Sequence, residues 1–323
     1  MKFSVGKQSL STELGLLQGV VERKTTIPIL TNVLIDATDA SQISMVATDL
    51  DVSLQTQCVA DVSTPGSAVV NAKKLLEIVR SLPDSDVVLE KEDDDWVKIT
   101  CGSARFKIVG HAKEHFPSVP QVTGDSVSLR ADVLHSMVTR TIFAITQEES
   151  RYALGGALFM ISEGKAQLVT TDGHRLALSS CTMESSGPET RVIIPRKALG
   201  ELQRLAGSAA DQEVLFSKDE NHMFFGIGAR KLTSRMLAGQ FPNYDMVIPK
   251  GNDKLLPLSL DRIQQAMRRA VLMADERSHG VKFEVGDGQL TIQSQTADTG
   301  ESTEVLQIDY NQGEASLRFN AIY

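Results

Sequence analysis

The chain repeats its own pattern at a spacing of 123 to 125 residues, and this repetition limits the folds that it can adopt. The segment VVNAKKLLEIVRSL, from Val69, is matched by VIIPRKALGELQRL from Val192. The segments GSARFKIVGHAKEHFPSV and IGARKLTSRMLAGQFPNY share a Phe-Pro pair, at Phe116 and Phe241. The opening FSVGKQSLSTELGLLQGVV resembles VSLRADVLHSMVTRTIFAI from Val127. A repeat of this length predicts copies of one domain-sized unit.

A third copy begins near LSLDRIQQAMRRAVLMA, which aligns with VSLRADVLHSMVTRTIFA after one gap. Its final stretch, SLRFNAIY, falls where the first two copies enter their second helix. The repeat therefore predicts three domains, over residues 1–121, 122–250 and 251–323, the third incomplete at its C-terminal end.

Hydrophobic periodicity assigns each unit to the α+β class. Leu10, Leu14, Leu17 and Val21 recur at steps of three and four residues, which is typical of an amphipathic helix. Stretches such as VLIDATDASQISMVATD alternate and indicate strands, with the acidic run 92–95 as a hairpin turn. Each unit is thus predicted to be an antiparallel sheet with helices on one face. The predicted helices span residues 7–24, 71–82, 130–145, 195–206 and 261–274.

Charge is distributed unevenly along the chain. The net charge is −8, yet each predicted helix is net positive, so the acidic residues lie in the strands and loops. Because Lys and Arg are good helix formers, composition alone can produce this pattern. The alternative is a shared basic surface that faces nucleic-acid phosphates. On that interpretation the candidate DNA-facing residues are Lys73, Lys74, Arg196, Lys197, Arg268 and Arg269.

The stretch TTDGHRLAL, residues 170–178, places several polar side chains together. Thr171-Asp172 falls on Thr48-Asp49 of the first repeat, so this pair is predicted to form a turn at a strand entry. Gly173-His174-Arg175 distinguishes the second repeat, and either a structural hairpin or a partner contact would explain it.

Sequence motifs for catalysis or metal binding are weak. There is no GxSxG, no P-loop and no CxxC, and the two histidines of HAKEH run directly into a Phe-Pro pair. We therefore expect no catalytic residue, no metal and no cofactor. No apolar run reaches the roughly 18 residues of a membrane span, so we expect a cytoplasmic protein with no membrane partner.

The motifs TTDGHRLA, VIIPRK, GQFPNYDMVIPK and the opening MKFSV together resemble the bacterial sliding clamps, the beta subunits of DNA polymerase III. The resemblance covers the whole chain. It implies three similar domains per chain and two chains joined head to tail as a ring, with sheets outside and two helices per domain inside. Such a homodimer would encircle duplex DNA without reading its sequence and would confer processivity, with no chemistry of its own.

The resemblance also assigns residues by position. It implies a pocket between the second and third domains that binds peptides of the polymerase catalytic subunit, the clamp loader and other clamp-binding proteins. Its matching residues are Leu154, Thr171, Gly173, His174, Arg175, Leu176, Pro242, Val247, Asn320 and Tyr323. The DNA-facing surface matches Lys24, Tyr152, Arg196 and Lys197. The ring contacts match Phe106, Ile108, Leu272 and Met273, for which simple core positions are the alternative.

Two other functions remain open from the residues alone. One is a peptide-binding scaffold that never touches DNA, and the other is a nuclease or polymerase accessory enzyme. The basic helices argue against the first, and the lack of clustered carboxylates argues against the second.

Overall fold

The structure is a computed structural model that describes residues 1–22, 25–122, 125–148, 150–183 and 188–323. The chain divides into two compact units, Met1–Phe241 and Pro242–Tyr323. The first unit contains the first two repeats, and the second unit contains the third.

The α-helices of the described residues are α1 (Lys7–Leu17), α2 (Ala72–Ser81), α3 (Ala131–Thr139), α4 (Arg196–Gly207) and α5 (Leu260–Ala270). Short 3-10 helices lie at Pro28–Thr31, Asp93–Asp95, Lys113–His115, Ile142–Ala144, Tyr152–Leu154, Tyr244–Met246 and Val271–Met273. Each predicted helix segment therefore contains a helix, and the acidic run lies in a hairpin connection as predicted.

The strands of the first repeat are β1 (Lys2–Gly6), β2 (Asn32–Ala37), β3 (Gln42–Thr48), β4 (Val52–Thr64), β5 (Gly66–Asn71), β6 (Asp86–Lys91), β7 (Val97–Cys101), β8 (Ala104–Ile108) and β9 (Gly110–His111). Those of the second are β10 (Val127–Arg130), β11 (Gly156–Ser162), β12 (Lys165–Thr171), β13 (Leu176–Thr182), β14 (Thr190–Pro195), β15 (Glu213–Lys218), β16 (His222–Ile227) and β17 (Arg230–Arg235). The third has β18 (Gly280–Gly286), β19 (Gln289–Thr296), β20 (Gly300–Gln307) and β21 (Ala315–Asn320).

The first two repeats share one plan of two sheets and two helices. In the first repeat, β1, β6, β7 and β8 form one sheet and β5, β2 and β3 another, and β4 borders both. In the second repeat the matching sheets are β10-β15-β16-β17 and β13-β12-β11-β14. Every ladder between the described strands is antiparallel, as predicted.

The sheet continues from the second repeat into the first. β17 pairs antiparallel with β4, where Lys231 lies opposite Gln55 and Ser234 lies opposite Val52. One cluster of buried side chains also runs through both repeats, from Phe3 to Leu232. The first unit is therefore a two-repeat body held together by backbone pairing and a common core.

The helices pack through the apolar stripe that their sequence predicts. Leu10, Leu14 and Leu17 of α1 are all buried, at the expected three- and four-residue spacing. The first turn of α2 is capped by Asn71, whose side chain accepts a hydrogen bond from the Lys74 backbone N–H at 2.9 Å.

The second unit is simpler. Its sheet has the order β20-β19-β18-β21, and α5 packs on one face over a separate core that includes Ala266, Ala270 and Ile292. Compared with the first two repeats, the described third repeat is shorter and has one sheet and one α-helix.

Candidate functional site

The turn between β12 and β13 is built by two side chains. The Asp172 Oδ1 accepts hydrogen bonds from the backbone N–H groups of His174 and Arg175, each at 3.0 Å. The Thr171 Oγ1 donates to the Arg175 carbonyl at 2.7 Å. Asp49 and Thr48 make the same contacts in the first repeat, toward Asp51 and Val52. The prediction that the Thr-Asp pair belongs to a repeated turn is confirmed.

Electrostatics stabilise the ionised form of Asp172. Burial alone raises the pKa of this carboxyl, but the hydrogen bonds from His174 and Arg175 and the Arg175 guanidinium outweigh burial. The pKa of Asp172 therefore lies below its ordinary value of 3.8. The turn keeps its negative charge at neutral pH and holds Arg175 in place through an ion pair of 3.1 Å.

Sequence reasoning missed two side chains that shape this turn. The Arg175 guanidinium lies 5.2 Å from the centre of the half-exposed Phe143 ring and donates to the Phe143 carbonyl at 3.0 Å. Arg151 donates to the Asp172 carbonyl at 2.9 Å and fills the space beside Gly173, which has φ +89°. A Cβ on Gly173 would lie 2.5 Å from the Arg151 guanidinium, so a larger residue would have to displace this side chain. Glycine adopts the positive φ without strain, whereas the equivalent Leu50 of the first repeat has φ +82°.

Of the residues assigned to the partner pocket, those in the first unit lie close to this turn. Leu154 ends a 3-10 helix that begins one residue after Arg151, and Leu176 begins β13; both are half-buried. His174 is exposed at the tip. This part of the chain therefore combines a fixed, charged turn with partly exposed leucines.

The remaining pocket residues belong to the second unit. Pro242 and Val247 precede α5, and the side chain of Val247 is 67% exposed. Asn320 ends β21, where its Oδ1 accepts a hydrogen bond from the Ile322 N–H at 2.9 Å. Tyr323 is also largely exposed.

The predicted DNA-facing residues lie at the starts of α2 and α4, in a 3-10 helix and in the last turn of α5. Lys73 and Lys74 lie in the first turn of α2, where Glu77 pairs with them at 3.9 and 2.8 Å. Arg196 begins α4 and donates to the Ile145 carbonyl at 3.0 Å. The other members are Tyr152, which is 61% exposed, Arg268, which is exposed, and Arg269, which pairs with Glu304 at 2.6 Å. Lys24 lies outside the described residues.

Lys197 differs from the other predicted DNA-facing residues, because it lies in the second repeat and its hydrogen-bond and ion-pair partners lie in the first. Its ammonium donates to the Val20 carbonyl at 3.0 Å and pairs with Asp49 at 2.5 Å and with Glu22 at 3.4 Å. Burial alone lowers the pKa of Lys197, but the hydrogen bond and charge of Asp49, helped by Glu22, raise it above its ordinary value of 10.5. Lys197 is therefore a charged contact between the first two repeats.

A buried ion pair also joins these repeats. The Arg230 guanidinium of β17 forms two hydrogen bonds to the Glu13 carboxylate of α1, at 3.1 and 2.6 Å. Glu13 is 8% exposed.

Burial and the nearby Glu13 charge raise the pKa of the Cys58 thiol to about 12, so this thiol stays protonated and is a poor nucleophile.

The predicted ring contacts are partly exposed. Phe106 projects from β8 with 38% of its surface exposed, while Ile108 packs partly against the core. Leu272 is 77% exposed in the 3-10 turn that follows α5, and Met273 is half-buried beside it. Among the described strands, β8 and β20 are both edge strands.

The described residues contain neither a metal-binding cluster nor a membrane-spanning helix. No group of three or more His, Cys, Asp or Glu side chains there could hold a metal ion. In the same ranges, every helix is too short or too polar to cross a membrane.

Three comparisons place this architecture among known proteins. The models of the N-terminal, central and C-terminal domains of the DNA polymerase III beta subunit match residues 1–120, 128–243 and 245–323. The beta sliding clamp of Pseudomonas aeruginosa is 33% identical over 328 residues, and that of Caulobacter vibrioides is 37% identical over 341 residues. Each comparison covers 100% of this chain and 88% of the relative.

Solved structures agree with the sequence comparisons. A DnaN sliding clamp of Pseudomonas aeruginosa matches with a TM-score of 0.94 at 33% identity, and a sliding clamp of Bacillus subtilis with 0.93 at 27%. Both matches cover 100% of this chain and 88% of the solved chain. Fold and domain order thus define a three-domain DNA clamp. The chain belongs to the DNA polymerase III beta subunit family, the beta sliding clamps, which are processivity factors and not enzymes.

Proposed function

We propose that two copies of this chain close into a ring around duplex DNA and tether DNA polymerase III to its template. The observation that carries the ring is the directional joint between the first two repeats. There β4, the edge of one sheet, accepts β17, the last strand of the following repeat. Contacts of this head-to-tail kind generate closed rings when the rotation closes.

Counterparts of these two edge strands lie in the first and third repeats. β8 is the counterpart of β17, because both begin within the matched Ala-Arg pairs, and β20 is the counterpart of β4, because both border equivalent four-stranded sheets. β8 carries the exposed Phe106, and β20 carries Val305, which is 50% exposed. We therefore propose that β8 of one copy pairs with β20 of the second copy, as β17 pairs with β4 within the chain. Ile108, Leu272 and Met273 would lie at the same contact.

The positive residues at the starts of the helices support sequence-independent binding of DNA. Lys73 and Lys74 lie in the first turn of α2 and Arg196 begins α4, while Tyr152, Arg268 and Arg269 are assigned to the same surface. Contacts to phosphates alone release counterions without reading bases. We expect weak binding of linear DNA that is indifferent to sequence and falls steeply with salt. Base-specific binding that persists at high salt would contradict this assignment.

The turn around Gly173-His174-Arg175 is the proposed contact for partner peptides. Leu154 and Leu176 supply apolar surface, while the Asp172 and Phe143 contacts hold the Arg175 guanidinium in place. An extended peptide with one or two large apolar anchors would bind here at about 1 μM, or about 8 kcal/mol. Thr171, Pro242, Val247, Asn320 and Tyr323 remain predictions for the same pocket.

A peptide titration tests this site. A fluorescent clamp-binding peptide from a bacterial polymerase should bind His174→Ala at least threefold more weakly than the parent chain. Asp51→Ala is the matched control, because Asp51 occupies the equivalent place in the first repeat and its N–H also bonds to the turn aspartate. Equal weakening by both variants, or by neither, would remove His174 from the site.

The polymerase catalytic subunit, the clamp loader and repair proteins would compete for this pocket. Since such a clamp acts on the chromosome, we place the protein in the cytoplasm. Primer extension on a long single-stranded template should give longer products with the chain than without it. Unchanged product length would leave a peptide-binding scaffold as the better description.

A further inference from the structure

A groove on the second repeat shares no residue with the proposed partner pocket. It has a volume of about 430 Å³ and lies between β14 and the chain that follows β17, entirely within the first unit. Leu158, Ile193 and Leu237 are among the apolar residues that line it, and Arg191 and Arg235 also border it. The groove therefore combines an apolar lining with two guanidinium groups.

The groove reaches the open edge of β14. This strand lies at the end of its sheet, and its only ladder partner among the described strands is β11. The Ile193 carbonyl accepts a hydrogen bond from the Leu237 N–H at 3.0 Å, so the backbone groups of Ile193 point away from β11. Arg191 lies two residues earlier on the same strand, so its N–H and C=O point the same way. Within the described ranges these two groups have no hydrogen-bond partner.

Both arginines are only weakly engaged. The Arg191 guanidinium donates to the Met160 Sδ at 3.1 Å, and a thioether is a weak acceptor. Arg235 pairs with Asp51 at 3.8 Å, and because these side chains are 62% and 71% exposed, water screens their attraction. Glu220 is the one acidic residue among the described residues that line the groove. The groove therefore has an excess of positive charge, in a chain whose net charge is −8.

The first repeat has a cavity in the corresponding place, but without this excess. The corresponding positions, at spacings of 124 or 125 residues, are Leu34 and Leu158, Lys113 and Ala238, Phe116 and Phe241, Ser67 and Arg191, and Gly110 and Arg235. Lys113 and Asp36 both line the first cavity and pair at 2.5 Å, so their charges cancel. A serine and a glycine stand in place of the two arginines. The positive groove is thus a property of the second repeat and not of the shared fold.

We propose that this groove binds an extended, acidic segment of a partner protein. The segment pairs with the free N–H and C=O of Arg191 and adds a strand to the sheet beside β14, a common way of recognising peptides. Its acidic side chains pair with Arg191 and Arg235 through charge-assisted hydrogen bonds, and its apolar side chains cover Leu237. Such a contact goes beyond the proposed function, because it gives partners a second site that is separate from the Gly173-His174-Arg175 turn.

Fluorescence anisotropy tests the groove. The probe is a labelled six-residue peptide in which glutamate and valine alternate. We expect it to bind the chain, and to bind more weakly as the salt concentration rises. Arg191→Ser, which introduces the residue of the first repeat, should weaken binding at least about fivefold because it removes a charge-assisted hydrogen bond.

Arg140→Ser is the matched control, because Arg140 is an exposed arginine outside the groove. It should leave the affinity for the probe unchanged. Equal weakening by Arg191→Ser and Arg140→Ser, or no binding of the probe to the parent chain, would overturn the proposal.

Changes to the peptide locate the contact. N-methylation of the three valines removes the backbone donors from one edge of the peptide, and N-methylation of the three glutamates removes them from the other edge. Strand addition predicts that only one of the two peptides loses binding, so loss by both or retention by both would overturn the pairing with β14. An excess of unlabelled clamp-binding peptide should leave the probe bound. Displacement of the probe would overturn the groove as a separate site and leave the proposed function standing.

Discussion

Equivalent strands of the first two repeats and of the third are buried to very different extents. Val70 on β5 and Ile194 on β14 are 0% and 1% exposed, whereas Phe319 on β21 is 51% exposed. All three occupy the same place, since each pairs with the neighbouring inner strand in the same register. In the first two repeats α2 and α4 follow the strand and contribute buried leucines to the core.

In the first two repeats the second helix is therefore the element that covers this strand and completes the core. A strand with alternating apolar residues is buried only when another layer covers it. The first unit therefore has a deep core shared by two repeats, and the second unit has a separate core. We expect the two units to unfold separately.

The largest expected effect comes from truncating one leucine in each unit, a buried one in the first and an exposed one in the second. Leu75→Ala in α2 removes a fully buried side chain and should destabilise the first unit by about 3 kcal/mol. Leu317→Ala on β21, where the side chain is already 52% exposed, should cost the second unit about 1 kcal/mol or less. Trp96, the single tryptophan, reports urea unfolding of the first unit, and circular dichroism reports both. Equal losses of unfolding free energy for Leu75→Ala and Leu317→Ala would contradict the difference in burial between the two units.

The second effect concerns ion pairs. Arg230→Ala leaves the buried Glu13 carboxylate without its partner and should destabilise the first unit by about 2–3 kcal/mol. The pair Lys282–Glu284 in the second unit is partly exposed, so Lys282→Ala should cost well under 1 kcal/mol. Urea midpoints of both variants provide the measurement. If Arg230→Ala lowered the free energy of unfolding no more than Lys282→Ala, the Arg230–Glu13 ion pair between the first two repeats would not contribute to the stability of the first unit.

The smallest effect is a dependence on pH. The pKa of Asp172 is lowered, so its stabilisation is present above the ordinary value of 3.8 and is lost as the pH falls through the lowered pKa. Asp172→Asn should therefore make the first unit less sensitive to acid below about pH 4. Thermal midpoints between pH 2 and 7 check this expectation. If the thermal midpoint of Asp172→Asn fell with pH as steeply as that of the parent chain, protonation of Asp172 would not contribute to the loss of stability in acid.

Much of the architecture could be predicted from the sequence, because local residue patterns determine it. Leu10, Leu14 and Leu17 indicate their own helix, and the matched Thr48-Asp49 and Thr171-Asp172 pairs predict the repeated turn. These signals depend on neighbours within a few residues and on one constant spacing. The family was also correctly indicated by a handful of motifs.

The contacts that define the sites could not be predicted in the same way. Lys197 looks like another basic residue on a helix, but its partners Glu22 and Asp49 lie 175 and 148 residues away. The Phe143 ring beside Arg175 and the Arg230–Glu13 pair are equally remote in sequence. Such contacts depend on how elements fold back on one another, and no spacing rule in a single sequence contains that information. The domain boundaries and site assignments stay predictions.

The most direct test of the account is whether the protein is held on DNA by topology. The chain is loaded onto nicked circular DNA by a bacterial clamp loader, and the DNA is then cut once at a distant site. A closed ring predicts retention on the circle and loss on linearisation, and a variant with Leu272→Ala and Met273→Ala should be lost from both. Equal retention of the parent chain on circular and linear DNA would contradict the ring and indicate that the chain grips DNA by charge alone.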